Sequence, residues 1–304
     1  MLIDAVKRHI ELYRSMGFKY KAQEYILHGF AAFAESRSEQ FISADAVLEW
    51  AGSAPSIRQR YDCLFIVRRF ACSLNAEDAR HQVPPDDAFG RAPKSRRICH
   101  IFTKDEISCL LRTAAQLSSR RSIQPATFTA LMCLIMATGL RVSEALKLQL
   151  TDITEDGLLI RATKFQKSRL VPLHESAAQG LRQYLAVRKR FKTKCSNVFV
   201  SKHGAALPYS TLNATFLYLA RLAGLRQGPG QGGCRIHDAR HTFAVRSLEQ
   251  CAGDRKTIAR HISALSTYLG HAHVSDTYWY LQATLKLLCD VAAASEALYR
   301  GGNR

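Results

Sequence analysis

Leu269-Gly-His-Ala-His-Val-Ser-Asp-Thr-Tyr-Trp-Tyr-Leu281 places His271 nine residues before Tyr280, near the end of a basic chain whose apolar residues recur mostly at helical spacing. A phenol has a pKa of about 10. A tyrosine that reacts at neutral pH therefore needs neighbours that stabilise negative charge. Three tyrosines, Tyr268, Tyr278 and Tyr280, lie within reach of His271 in sequence. On a helix Tyr278 and Tyr280 would point about 200° apart, so only one of them can face a given substrate.

Upstream stands Arg235-Ile-His-Asp-Ala-Arg-His241, in which His237 and Arg240 are three apart and share a helical face. A metal reading of His237 and His241 lacks the glutamate of a His-Glu-x-x-His helix and an evident third ligand. Further back, Pro125 to Thr138 reads as an apolar helix stopped by Gly139. Arg141 follows at once in Leu140-Arg-Val-Ser-Glu-Ala145, where another helix begins. A guanidinium beside free helix N-terminal amides makes an oxyanion or phosphate site. Between these motifs, residues 150–173 carry β-favouring residues on both sides of Lys164-Phe-Gln-Lys167, which predicts a hairpin with Lys164 and Lys167 near its turn. A solvated hairpin tip is the plain alternative for both lysines. Helices are expected at 175–190 and 210–224, with a short strand at Asn197-Val-Phe-Val-Ser201 between them. The Gly-rich loop Gln227–Gly233 lacks the spacing and the Lys-Ser/Thr of a phosphate loop.

The N-terminal part predicts four helices. These are residues 2–15, about 19–36 with an apolar face of Tyr25, Ile26, Phe30 and Phe33, a short one capped by Ser43, and one opened by Pro55-Ser-Ile-Arg that carries Tyr61, Leu64, Phe65, Val67 and Phe70. The expected organisation is a helical domain at 1–83, a basic linker at 84–101 and a second domain at 102–304, which Thr103-Lys-Asp-Glu106 opens with a capping-box pattern. Arg91, Lys94, Arg96 and Arg97 in the linker could track a phosphate backbone. An unliganded flexible linker reads equally well.

Composition narrows the partners. Lys+Arg minus Asp+Glu is 43 − 25 = +18 over 304 residues. Residues 1–95 hold 13 basic and 12 acidic side chains, so the remaining 30 and 13 put an excess of +17 in the second part. Such a field favours polyanions, nucleic acid above all. No apolar run approaches the roughly 18 residues that span a bilayer, and the N-terminus lacks a secretory apolar core. A cytoplasmic, nucleoid-associated protein with no membrane partner is expected. The nine cysteines form no Cys-x-x-Cys pair, which fits reduced thiols and predicts neither disulfides nor a metal.

Taken together, Ala137-Thr-Gly-Leu-Arg141-Val-Ser-Glu-Ala, the lysine hairpin ending Arg169-Leu-Val-Pro-Leu, His237-Asp-Ala-Arg240-His241, Leu-Gly-His271 and Tyr280 resemble the tyrosine recombinases, the family of phage integrases, Xer recombinases and Cre. The resemblance covers residues 96–290 by motif, and the Thr-Tyr-Trp-Tyr-Leu form is similar to integrases and transposases of mobile elements. It implies a mainly α fold with a small antiparallel sheet, an all-helical core-binding domain and an α+β catalytic domain. Arg141, Lys164, His237, Arg240, His271 and Tyr280 would be catalytic, and no cofactor or metal would be needed. The implied reaction is site-specific cutting and rejoining of DNA through a 3′-phosphotyrosyl link, with integrase or transposase activity of a mobile element as the expected outcome.

Elementary chemistry makes those roles intelligible. Two guanidiniums, Arg141 and Arg240, can hold the nonbridging oxygens on which charge builds. Lys164, with Lys167 as fallback, is the candidate acid for the departing 5′ oxygen, and Lys167 otherwise contacts DNA. His237 suits base or proton-shuttle work, His271 a hydrogen bond to the phosphate, and Tyr280 covalent attack. Glu144 and His241 are supporting residues. The resemblance further implies a clamp around double-stranded recombination sites, a homo-tetramer on DNA assembled from free monomers or dimers, and accessory proteins as candidate partners. An apolar helical tail at 284–299 would pack in cis or on a neighbouring protomer. Competing readings are a type IB topoisomerase, which uses the same chemistry to relax DNA, and a noncatalytic DNA-binding protein on the same fold.

Overall fold

The computed structural model describes residues 2–90, 99–117, 122–161, 168–191, 193–228, 232–251, 255–282, 292 and 296. The expectations for Arg91, Lys94, Arg96 and Arg97, for Lys164 and Lys167, and for nearly all of the 284–299 tail lie outside the described residues. Two compact units divide the chain, Met1–Arg97 and Ile98–Arg304.

The first unit holds helices α1 (Leu2–Ser15), α2 (Lys21–Ser36), α3 (Ala44–Gly52) and α4 (Ile57–Asn75). Ser43 and Ser56 accept from Ala46 N and Gln59 N, which satisfies an otherwise unpaired amide at the start of α3 and α4. Val6, Ile10, Leu27, Phe30, Val47, Leu64, Val67 and Phe70 close the core. The face of α2 differs from expectation. Leu27, Phe30, Ala31 and Ala34 are its buried residues, while Tyr25 stands 83% exposed. The small alanines of that stripe let α2 pack closely on its neighbours, a choice that a count of large apolar side chains overlooks. Phe65 on α4 also faces solvent.

The second unit runs α5 (Lys104–Ala115), α6 (Gln124–Thr138), α7 (Val142–Lys147), β1 (Ile153–Thr154), β2 (Gly157–Ile160), β3 (Arg169–Val171), α8 (Glu175–Arg190), α9 (Tyr209–Leu222), α10 (Asp238–Glu249), α11 (Arg255–Leu269) and α12 (Ser275–Tyr278). A 3₁₀ turn, Trp279–Gln282, continues directly from α12. The strands form one antiparallel sheet in the order β1-β2-β3, with Leu158 opposite Val171 and Ile160 opposite Arg169. The architecture is therefore mainly helical with a small antiparallel sheet, as the resemblance implies. Thr103 opens α5 with the full reciprocal capping box to Glu106. The stretch 197–201 departs from expectation, because it makes only isolated bridges, Gln149 with Asn197 and Val200 with Ala206. Its Val198, Phe199 and Val200 are fully buried. The apolar run that suggested a strand instead fills the core from an irregular segment whose Val198 N donates to Leu148 O.

Helix α6 is the spine of this unit, packing against α5, α8 and α10. Apolar residues surround most of it, as burial among several neighbours requires. Phe128, Leu131, Met132, Leu134 and Ile135 join a core that extends from Phe102 to Ala239. A second cluster, Ala244, Val245, Leu248, Ile262, Leu265, Leu269 and Tyr280, ties the 3₁₀ turn to α10 and α11. The chain stretch before α5 is held to α10 as well: Phe102 N donates to Thr242 Oγ1 at 3.0 Å and Arg246 donates to Phe102 O at 2.6 Å.

Candidate active site

Three arginines meet at the C-terminal end of α11. A helix ends with carbonyls that have no intrahelical partner, and cations are favoured beside them. Arg169 Nε donates to Tyr268 O at 2.9 Å, Arg240 Nη2 to Leu269 O at 2.8 Å and Arg141 Nη2 to Gly270 O at 2.8 Å. Three consecutive carbonyls thus take one guanidinium each, and the turn that carries His271 is fixed by the groups beside it.

Glycine is required at two corners of this arrangement. Gly139 has φ +62°, and a Cβ there would lie 2.4 Å from Phe243 and 2.9 Å from Leu269. Its carbonyl accepts from Arg240 Nη1 at 2.6 Å, so Arg240, only 2% exposed, joins the end of α6 to the end of α11. Gly270 has φ +67°, and its Cα passes so close to Arg169 that a Cβ would sit 2.9 Å from Nη1.

Among the described residues, Glu144 is the carboxylate that pairs with two of these cations, Arg141 and Arg169. It accepts from Arg141 Nη1 at 2.7 Å, from Arg141 N at 3.0 Å and from both terminal nitrogens of Arg169 at 3.1 and 2.8 Å. Burial raises its pKa, but the hydrogen bonds from Arg169 and Arg141 outweigh burial and hold it at about 2. Three guanidiniums against one carboxylate leave 3 − 1 = +2 in the cluster. At the start of α7 Glu144 folds back in a capping box and takes one of the amides expected to be free, that of Arg141. The anion-attracting element here is the surplus of guanidinium charge.

His237 caps α10, and its ring stands edge-on to that of His241 at 4.9 Å. His241 Nδ1 lies 3.2 Å from the Tyr280 hydroxyl. Tyr280 is 3% exposed, packed against Trp279 and His271, whereas Tyr278 is 50% exposed. Burial raises the Tyr280 pKa, and the nearby Arg240 guanidinium opposes that rise. Tyr268 stacks on Phe243. Trp279 packs with its ring 5.4 Å from that of His241, whereas Tyr278, the last residue of α12, faces solvent.

His271 Nδ1 sits 2.7 Å from Thr277 Oγ1, a fully buried hydroxyl. That contact occupies Nδ1 and leaves Nε2 for a substrate. Burial, with Arg240 and Arg141 adding to it, brings the His271 pKa to about 4, and burial with His237 and Arg240 does the same for His241. His237 is lowered too, by burial and then by Arg240 and Arg141. All three rings are neutral at pH 7.

The structure thus brings Arg141, His237, Arg240, His241, His271, Tyr280 and Glu144 together, from the start of α7, the start of α10, the turn after α11 and the 3₁₀ turn after α12. Two residues that sequence reading passed over complete the group. Arg169 stands in the Arg-Leu-Val-Pro-Leu stretch quoted for the hairpin, and only its ion pair with Glu144 marks it out. Thr277 lies six residues after His271, and no spacing rule singles it out. No described Cys, His, Asp and Glu residues cluster as metal ligands, and the described cysteines are free thiols. No described helix is long and apolar enough to cross a membrane.

The chain matches the phage integrase family over residues 100–286. It is 37% identical over 295 residues to the integrase/recombinase y4rB of Sinorhizobium fredii, with 93% of each chain covered. Its identity to the tyrosine recombinase XerD of Rickettsia bellii is 28% over 281 residues, with 86% of each covered. Among solved structures, the Tn1549 transposon integrase in complex with transposon right end DNA superposes with a TM-score of 0.66 at 13% identity, covering 98% of this chain and 99% of that one. Arginines massed around a buried tyrosine, in a fold shared with that integrase and a sequence matched over most of its length, have one explanation: the chain belongs to the phage integrase family and is a tyrosine site-specific recombinase.

Proposed function

We propose that Tyr280 is the nucleophile of this recombinase and that Arg141, Arg240 and His271 bind the scissile phosphate. The observation that carries this reading is the position of the Tyr280 phenol, buried beside Arg240 and His241 while Tyr278 faces solvent. Attack of the phenol oxygen on a phosphodiester places a second negative charge on the phosphoryl oxygens, and the +2 of the arginine cluster offsets it. Arg141 and Arg240 are held by carbonyls through some of their five donors each, so the remaining N–H groups meet the phosphate already oriented. Neutral His271 donates from Nε2. Lys164 protonates the departing 5′ oxygen, with Lys167 as the alternative, and His237 relays protons. Glu144 and Arg169 orient Arg141. The 3′-phosphotyrosyl link conserves the energy of the broken bond, so rejoining needs no nucleotide cofactor.

The DNA partner is a duplex recombination site, contacted by a domain at residues 1–83 and by one at 102–304. Arg91, Lys94, Arg96 and Arg97 in the linker follow its backbone. Exchange in a homo-tetramer fits the lambda integrase tetramer solved on a Holliday junction, a likeness of fold at 18% identity. Integration or transposition of a mobile element, with accessory proteins setting direction, fits the integrase/recombinase relative and the transposon integrase.

A nicked duplex built on the sequence that the wild-type chain selects from a randomised pool tests the reading. Wild type should form a covalent complex stable to denaturant, with the DNA mapped to Tyr280 by mass spectrometry, and Tyr280→Phe should form none. Trapping by Tyr280→Phe together with loss in Tyr278→Phe would overturn it.

A further inference from the structure

A buried phenol cannot attack until its proton has somewhere to go. Among the described residues, His241 is a proton-accepting side chain within reach of the Tyr280 hydroxyl, through Nδ1 at 3.2 Å. His237, the histidine that sequence reading marks for proton work, stands behind it, ring against ring at 4.9 Å. Resting on the reading of Tyr280 as nucleophile, we propose that His241 is a further catalytic residue, the group that accepts the phenolic proton as the Tyr280 oxygen attacks phosphorus.

The step balances as follows. The Oη–H bond breaks and its proton passes to Nδ1 of His241, while an Oη lone pair forms the new bond to phosphorus. The bond from phosphorus to the 5′ oxygen breaks, and that oxygen takes a proton from a separate acid, assigned above to Lys164. In rejoining, the 5′ hydroxyl returns its proton to the now neutral Lys164 and attacks the phosphotyrosyl link, and the departing Tyr280 oxygen recovers its proton from His241.

Three features of the surroundings suit this role. The ring is held on α10 one residue after Arg240, so acceptor and phosphate clamp move as one rigid unit. Trp279 lies against it at 5.4 Å and shields it from bulk water. The charged and titratable groups facing it are His237 and Arg240 from its own helix, His271 from the turn after α11 and Tyr280 from the 3₁₀ turn. Burial first, then His237, Arg240 and His271, brings its pKa to about 4, so the ring is neutral with a free lone pair when DNA arrives. Negative charge growing on the phosphoryl oxygens then raises its proton affinity at the moment of transfer.

The test compares His241→Asn with His241→Ala. Asparagine keeps a hydrogen-bonding atom at the distance of Nδ1 but cannot take up a proton, so it preserves a merely positional role and removes a chemical one. Both variants should bind the selected duplex as wild type does and cleave it about 10²-fold more slowly, the usual contribution of a general base. Ring-fluorinated tyrosine at position 280, whose phenol is more acidic, should recover most of the lost rate in His241→Asn and change wild type little. Cleavage by His241→Asn within twofold of wild type, or no recovery with the fluorinated tyrosine, would overturn the assignment. A measurement on the unmutated chain keeps the proposal testable whatever the folding of the variants. ¹⁵N-histidine spectra at pH 7 should show His241 protonated on Nε2 alone, and a proton on Nδ1 would exclude it as acceptor. Failure of the underlying reading looks different, because Tyr280→Phe would then still trap DNA, whereas normal cleavage by His241→Asn removes only the role of His241.

Discussion

Glu144 and Arg169 show how one ion pair can set a phosphate site. Glu144 is nearly buried and bridges two guanidiniums, and its loss would leave Arg141 and Arg169 facing each other without a counter-charge. Removing one partner of a buried pair is strongly destabilising, so Glu144→Gln should cost about 3 kcal/mol, read as a fall in the midpoint of denaturant unfolding. Arg169→Ala should fold with a smaller loss, retain DNA affinity and cleave more slowly, because Arg141 and the His271 turn lose their anchor. Arg169→Lys should recover little of that rate, since a single ammonium cannot reproduce the paired bonds to Glu144 together with the bond to Tyr268 O. Wild-type single-turnover kinetics from Arg169→Lys would argue that Arg169 only fills space.

At the scale of elements, the site depends on how helices end. Helix α6 stops at Gly139 and α11 at Leu269, and Arg240 joins the two ends. Gly139→Ala forces a Cβ into Phe243 and asks a non-glycine residue to hold φ +62°. That substitution should cost about 2–3 kcal/mol, as backbone strain and overpacking combine, and slow DNA cleavage together with it. A cap remote from the site gives the contrast. Thr103→Ala removes one capping-box bond at the start of α5 and should cost about 1 kcal/mol while leaving the single-turnover cleavage rate within twofold.

For the whole molecule, charge and proton binding govern behaviour. The +18 net charge should make DNA affinity fall steeply with salt, by about 10³-fold or more between 50 and 200 mM if six or more phosphates are neutralised, measurable by fluorescence anisotropy. Stability should fall with acid. His241 and His271 titrate at about 4 when folded, below their ordinary 6.5, and His237 is lowered as well. Between pH 6.5 and 4 the unfolded chain therefore binds protons that the folded chain refuses, so stability is flat above that window and declines as pH drops through it. Glu144, held at about 2 against an ordinary 4.5, extends the decline to lower pH. Calorimetry from pH 7.5 to 3 should show the midpoint falling monotonically below 6.5. Recombination should also need its site: a plasmid without the selected sequence should stay supercoiled, and its relaxation would mark topoisomerase behaviour.

The residues that speak through local chemistry were legible in the sequence. The capping box at Thr103 and the stop at Gly139 are written in short spacings, and the recombinase chemistry followed from the resemblance that Arg141, His237-Asp-Ala-Arg240, His271 and Tyr280 carry in that order. Periodicity placed most helices but mistook the buried face of α2 and made a strand of 197–201, because alanine packing and irregular core segments carry no period. What only the tertiary structure decided is how distant groups pair. Three guanidiniums from separate elements settle on the carbonyls of Tyr268, Leu269 and Gly270, Glu144 holds two of them, and His241 rather than His237 touches the phenol. Those contacts join residues up to 129 positions apart, as Arg141 to Gly270 does. A backbone carbonyl at a helix end is the same group whatever residue carries it, so one sequence alone does not show which arginine it will bind.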